Sequence, residues 1–160
     1  MGEAVYFEDL AVGESFASEA VTVDREEMLA YNRRNDPWPF HVDEAAAART
    51  PYGGLIASGG YTVTLMYRLG HQIYNVPGRR WRVLGASEWQ LRFPAPVRLG
   101  DRLQLKVTVD GKRESGRPER GHIDLLYELV NQKGEVALSV LVAGLIARRP
   151  SGWSDGASAA

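Results

Sequence analysis

The stretch from Ile56 to Tyr74, "IASGGYTVTLMYRLGHQIY", limits the possible folds more than any other part of the chain. Val63, Met66, Tyr67, Gly70 and Ile73 recur at i, i+3, i+4, i+7 and i+10, the spacing of one helical face. Leu65 and Leu69 fall off that stripe, so the helix is apolar around much of its circumference. A helix of this kind is wrapped by the rest of the fold rather than laid on its surface.

The C-terminal half of the chain supplies the wrapping. After "NVPGRR" the period changes to two, and residues 81–93 and 102–110 read as strands. Leu103, Leu105, Val107 and Val109 alternate with Gln104, Lys106, Thr108 and Asp110. The polar loop "GKRESGRPERG" leads to a strand at His122–Asn131, and "NQKG" turns into a last strand, Glu135–Arg148, apolar on both faces as a strand inside a sheet must be. Four strands joined by hairpin-like turns imply antiparallel pairing.

Upstream, Ser15–Val23 reads as an opening strand. Asp24 is placed to cap a short helix running to about Arg34, with Glu27 in the capping-box position. "DEAAAAR" at 43–49 is a second short helix. The expected fold class is α+β: a curled antiparallel sheet around one long helix. One domain over residues 1–149 and a disordered tail over 150–160 complete the reading.

Composition narrows the function classes. A formal net charge of −1 gives no reason to expect nucleic acid or an anionic membrane as partner. The longest apolar run, residues 138–147, is far short of the ~20 needed to span a bilayer. With no cysteine there is no disulfide frame, thiolate nucleophile or Cys-based zinc site, which fits a reducing compartment. "MGEAVYFEDL" has acids where a signal peptide carries positive charge, and Tyr6 stands where myristoylation requires Ser or Thr. A cytoplasmic location, without a membrane partner, is expected.

The chemistry concentrates in "NDPWPFHVD" at 35–43. Pro37 and Pro39 fix their own φ and bias Asp36 and Trp38 toward extended backbone, which argues for a stiff loop with Asp36 and His41 at its ends. Five extended residues span roughly 16 Å, so the segment must bend if the two side chains are to meet. An Asp before Pro is also a common turn residue, and a His beside Phe40 can be merely packed.

Together with "YFEDLAVGESF", "YGGLIASGG" at 52–60 and "FPAPVRLGD" at 93–101, this loop resembles the MaoC-type dehydratases, also called (R)-specific enoyl-CoA hydratases, of the hot-dog fold. The likeness covers roughly residues 5–149. It implies that Asp36 and His41, with Pro39 two residues before the histidine, hold and activate the water that adds to the β-carbon of an enoyl thioester. It also implies that the backbone N–H of Gly59 serves the thioester oxygen, where the alternative is a glycine kept for tight helix packing. Trp38 replaces the family's usual Asn, and Ser58-Gly59 its usual His-Gly. Trp38, Phe40, Ser58 and Tyr61 are the candidates to bind substrate, although aromatics are more often plain core.

From the residues alone, histidine titrates near neutrality and suits proton removal from water, while a helix N-terminus suits a developing oxyanion. How the acid and base roles divide between Asp36 and His41 stays open. The resemblance implies no cofactor beyond coenzyme A as part of the substrate, an acyl-CoA or acyl-carrier thioester as partner, and a homodimer or larger even assembly. No set of His, Asp and Glu suggests a metal. His71 and His122 are expected to be structural, and "PGRRWR" either reaches a CoA phosphate or is a solvated turn. Two alternatives are a hot-dog thioesterase, disfavoured because residues 56–74 contain no Asp or Glu, and a non-catalytic thioester-binding protein.

Overall fold

A computed structural model describes residues 4–151. The helix α4, Gly59–Tyr74, starts three residues later than its apolar pattern does. Residues 56–58 are instead tied down as extended chain, with the Ala57 N–H donating to the Val97 carbonyl at 2.8 Å. Its buried face is Tyr61, Thr62, Leu65, Met66, Leu69 and Gly70. This corrects the expected stripe: Leu65 and Leu69 are the core, Val63 and Ile73 are half-buried, and Tyr67 lies 46% exposed.

Six strands form the main sheet. β1 (Ser15–Ala17) and β2 (Val21–Thr22) both pair with β6 (Arg102–Glu114), followed in order by β7 (Arg120–Val130), β8 (Val136–Ala147) and β5 (Val83–Arg92), all antiparallel. Leu103, Leu105, Val107 and Val109 of β6, Leu129 of β7 and Leu138, Val140 and Ile146 of β8 are fully buried in one core cluster with the apolar residues of α4. Each such side chain contributes about 1.5–3 kcal/mol on leaving water. The curled sheet around a central helix is the expected hot-dog arrangement.

Three expectations need correction. The opening strand is broken because Ser18 takes over the ladder: its N–H donates to Leu105, and its Oγ accepts the Leu105 N–H at 3.0 Å. β5 is not a hairpin partner of β6 but lies at the opposite end of the sheet. Pro94 and Pro96 keep the connection extended, and it runs beside residue 57 and then Val23, delivering β6 to the N-terminal strands. β6 continues to Glu114 and β7 begins at Arg120, so only 115–119 remain of the expected polar loop. "NVPGRR" folds into a small hairpin, β3 (Asn75–Val76) with β4 (Arg79–Arg80). The tail expected to be disordered lies, from residue 152 onward, outside the described residues.

The helices that carry the site precede α4. α1 (Arg25–Asn35) is capped by the Asp24 carboxylate, which accepts the Glu27 N–H at 2.8 Å. The reciprocal bond of a capping box is not made, because the Glu27 carboxylate accepts from Tyr61 and Arg68 instead. Pro39–Val42 is a single helical turn, α2, with Pro39 at its first position, so the stiff loop is partly helical. α3 (Glu44–Ala48) comes next, capped by Asp43.

Candidate active site

The bend that the loop needed is supplied by the end of α1 and the turn of α2. Asp36 is the C-cap of α1, its N–H donating to the Asn32 carbonyl at 2.9 Å. The Trp38 N–H then bonds to the Asp36 carbonyl and the His41 N–H to the Trp38 carbonyl, folding the chain back on itself. His41 Nε2 thereby lies 3.6 Å from Asp36 Oδ2. That is beyond a direct hydrogen bond and leaves both atoms to face a common small partner.

The two members differ in environment. The Asp36 side chain is 40% exposed and His41 is buried, with only an edge open. His41 Nδ1 is 2.9 Å from the Ile56 carbonyl. A carbonyl can only accept, so Nδ1 carries a hydrogen and Nε2 is the nitrogen left to face Asp36. Phe40 packs edge-on against the ring at 4.4 Å, and Trp38 stacks parallel to Phe40 at 6.4 Å, exposed at the rim.

Gly59 is the first residue of α4, so its N–H is one of the donors that a helix leaves without an intrahelical acceptor. It sits where the helix dipole is positive. A Cβ added to Gly59 would come within 3.1 Å of the Phe93 ring, which places the end of β5 against this position.

Two of the expected substrate contacts, Ser58 and Tyr61, are buried in this chain. Ser58 is fully buried, and its Oγ accepts the Tyr61 N–H at 3.2 Å, so it caps α4 rather than facing a ligand. Tyr61 is 1% exposed, and its hydroxyl donates to Glu27 Oε2 at 2.8 Å. Burial and that hydrogen bond push the Tyr61 phenol far above its ordinary range. Arg68, bonded to the same carboxylate, holds Glu27 below the usual glutamate range. His71 is exposed on α4 and bonded to Asn75, and His122 lies on β7. Among the described residues no group of three or more His, Asp or Glu is arranged to hold a metal.

A profile of the MaoC like domain matches residues 9–128. The chain belongs to this family. Within it, 3-hydroxyacyl-thioester dehydratase Z of Mycobacterium tuberculosis is 37% identical over 109 residues, 66% of this chain and 71% of that one. The 3-hydroxybutyryl-CoA dehydratase of Methylorubrum extorquens is 37% identical over 107 residues, 66% of this chain and 64% of that one. The crystal structure of the MaoC-like dehydratase from Rhodospirillum rubrum superposes with a TM-score of 0.82 at 34% identity, covering 91% of this chain and 99% of that one.

This MaoC-like site contains residues that the sequence does not single out. Asn32 is completely buried between the loop and the start of α4, with Nδ2 donating to the His41 carbonyl at 3.0 Å and Oδ1 accepting the Ser58 N–H at 3.2 Å. Phe93 closes on Gly59 from β5. In "YNRRND" the asparagine looks like one more residue of a solvated helix face, and only its partners reveal it.

Proposed function

We propose that this chain is a hydro-lyase that adds water across the α,β double bond of an acyl thioester, and removes it in reverse, at the pair formed by Asp36 and His41. The observation that carries the reading is the opposition of His41 Nε2 and Asp36 Oδ2 at 3.6 Å with the histidine tautomer fixed from behind by Ile56. Between them the two groups hold one water, take its proton as its oxygen bonds to the β-carbon, and return a proton to the α-carbon. The π electrons pass to the thioester oxygen, and the Gly59 N–H, at the start of α4, stabilises that developing charge. Phe40 and Trp38 form the wall beside the pair, and the substrate is a thioester of coenzyme A or of an acyl carrier. No residue of α4 offers the carboxylate that a hot-dog thioesterase would use.

The working form is a homodimer in the cytoplasm. Among the described residues β5 bonds only to β8, and along its length Val83, Leu84 and Leu91 are exposed, with Phe93 just beyond and Tyr67 of α4 packed against its Trp89. An open ten-residue edge of this kind pairs most simply with the same strand of a second copy about a two-fold axis.

The test is loss of enoyl absorbance with crotonyl-CoA, then with longer, branched and aromatic enoyl thioesters, comparing wild type with His41→Ala. Removal of a working general base or acid costs ~10²–10⁴ in rate. A wild type inert toward the whole panel, yet still binding thioesters, would instead leave a non-catalytic binding protein.

A further inference from the structure

One residue touches all three segments that carry the chemistry. Asn32 lies one turn before Asp36 on α1, and its backbone carbonyl accepts the Asp36 N–H at 2.9 Å. Its side chain donates to the His41 carbonyl at 3.0 Å and accepts from the Ser58 N–H at 3.2 Å, the peptide group just before Gly59. The amide orientation is set by the partners, since a carbonyl needs the NH₂ and an N–H needs the oxygen. Asn32 is 0% exposed, so water cannot substitute for either bond.

We propose that Asn32 is a positioning residue for the reaction: one buried amide that sets the distances among Asp36, His41 and the Gly59 donor. The inference rests on the reading of Asp36 and His41 as the catalytic pair. His41 has a second restraint, the Nδ1–H bond to Ile56, which fixes the ring. The Asn32 bond acts on the backbone of the same residue and so fixes where the ring stands relative to α1. Ser58 is held from the other side of the same amide, and its Oγ caps α4, so the start of that helix is referenced to α1 as well. Only a short side chain with one donor and one acceptor makes both connections. Asp lacks the donor, Gln is longer by a methylene, and Leu has neither.

The experiment uses the full chain with Asn32→Asp and Asn32→Leu, each also in the Asp36→Asn background, with kcat and KM on an active enoyl thioester and a thermal melt for every variant. Asn32→Asp keeps the volume and the acceptor for Ser58 but sets an oxygen against the His41 carbonyl. Displacements near 1 Å cost up to about 100-fold in rate. The expected result is a kcat lower by about 10–100-fold with KM within about threefold, at temperatures where the melt shows folded protein. In the Asp36→Asn background the same substitutions should cost little further, because the geometry they disturb no longer serves a complete pair. A merely structural asparagine would lower the melt and leave kcat of the folded protein unchanged, or cost the same factor in both backgrounds, and either result overturns the proposal. Should the leucine variant fail to fold, the aspartate variant decides alone. A wild type inactive on every thioester removes the catalytic reading as well, whereas an active wild type with undiminished Asn32 variants removes this inference only.

Discussion

Asp36→Asn should slow the enzyme and leave its fold as stable as before, or more so. The aspartate is the C-cap of α1, at the negative end of the helix dipole, where an anion is unfavourable by about 0.3–1 kcal/mol. Among the described residues its carboxylate makes no hydrogen bond within normal range, it lies 3.6 Å from His41 Nε2, and 40% of the side chain is in solvent. Replacing the charge with an amide of the same shape therefore relieves the dipole and breaks nothing. The melting temperature should stay level or rise by roughly 1–4 °C. The rate should fall ~10²–10⁴-fold, equivalent to about 2.7–5.5 kcal/mol of barrier. The two effects have opposite signs, which separates a residue kept for chemistry from one kept for structure. The assay pairs the crotonyl-CoA hydration rate with a thermal melt of the same preparation. Activity retained within about threefold, or lost only in proportion to a falling melt, would refute the assignment.

Glu27→Gln should lower stability at neutral pH, and the deficit should vanish in acid. Arg68 holds the folded Glu27 pKa below its ordinary value, so the native state binds fewer protons than the unfolded one. The stabilisation is complete above the ordinary glutamate pKa of about 4.3 and fades as pH falls through the lowered folded value, so melts across that range check it. A deficit that persists or grows below that range would overturn the sign. Gly59→Ala keeps the backbone donor but presses a methyl to within 3.1 Å of Phe93, and should cost about tenfold in rate. Adding Phe93→Ala should restore much of it if steric contact is the cause. The double change Leu84→Arg with Leu91→Arg should convert the proposed dimer to a monomer by light scattering and lower specific activity, because β5 leads directly to Phe93 beside Gly59, the proposed oxyanion donor. By linkage, a thioester ligand should tighten the proposed dimer by the same factor that dimerisation tightens the ligand, and a dimer dissociation constant indifferent to ligand would contradict the coupling.

Much of the architecture is legible in the sequence because period-two and helical patterns arise from burial on one face. Asp24 announces its cap, whereas Asp43, which reads as part of the helix at 43–49, turns out to cap it. The α4 stripe misleads because hydrophobicity marks every surface that leaves water and does not distinguish the core from an unpaired face. Tyr67 therefore falls in with Met66 by spacing, while Leu65 and Leu69 carry the interior. The place of β5 is hidden because a connection of nine residues with two prolines says only that the chain makes no tight turn there. Asn32 is invisible in principle: its meaning lies in partners nine and twenty-six residues away. Ser58 and Tyr61 lie in the expected region, but both are buried, with the Ser58 Oγ accepting the Tyr61 N–H and the Tyr61 hydroxyl donating to Glu27.

The closeness of Asp36 to His41 has a stereochemical consequence. As the proposed catalytic pair, with atoms 3.6 Å apart and His41 buried at the back, they can approach a planar double bond from one side only. The hydroxyl and the new hydrogen must then reach the two carbons on the same face. Hydration in heavy water should give a product of single relative configuration at the two carbons, with deuterium syn to the oxygen, and dehydration should return that same label to solvent.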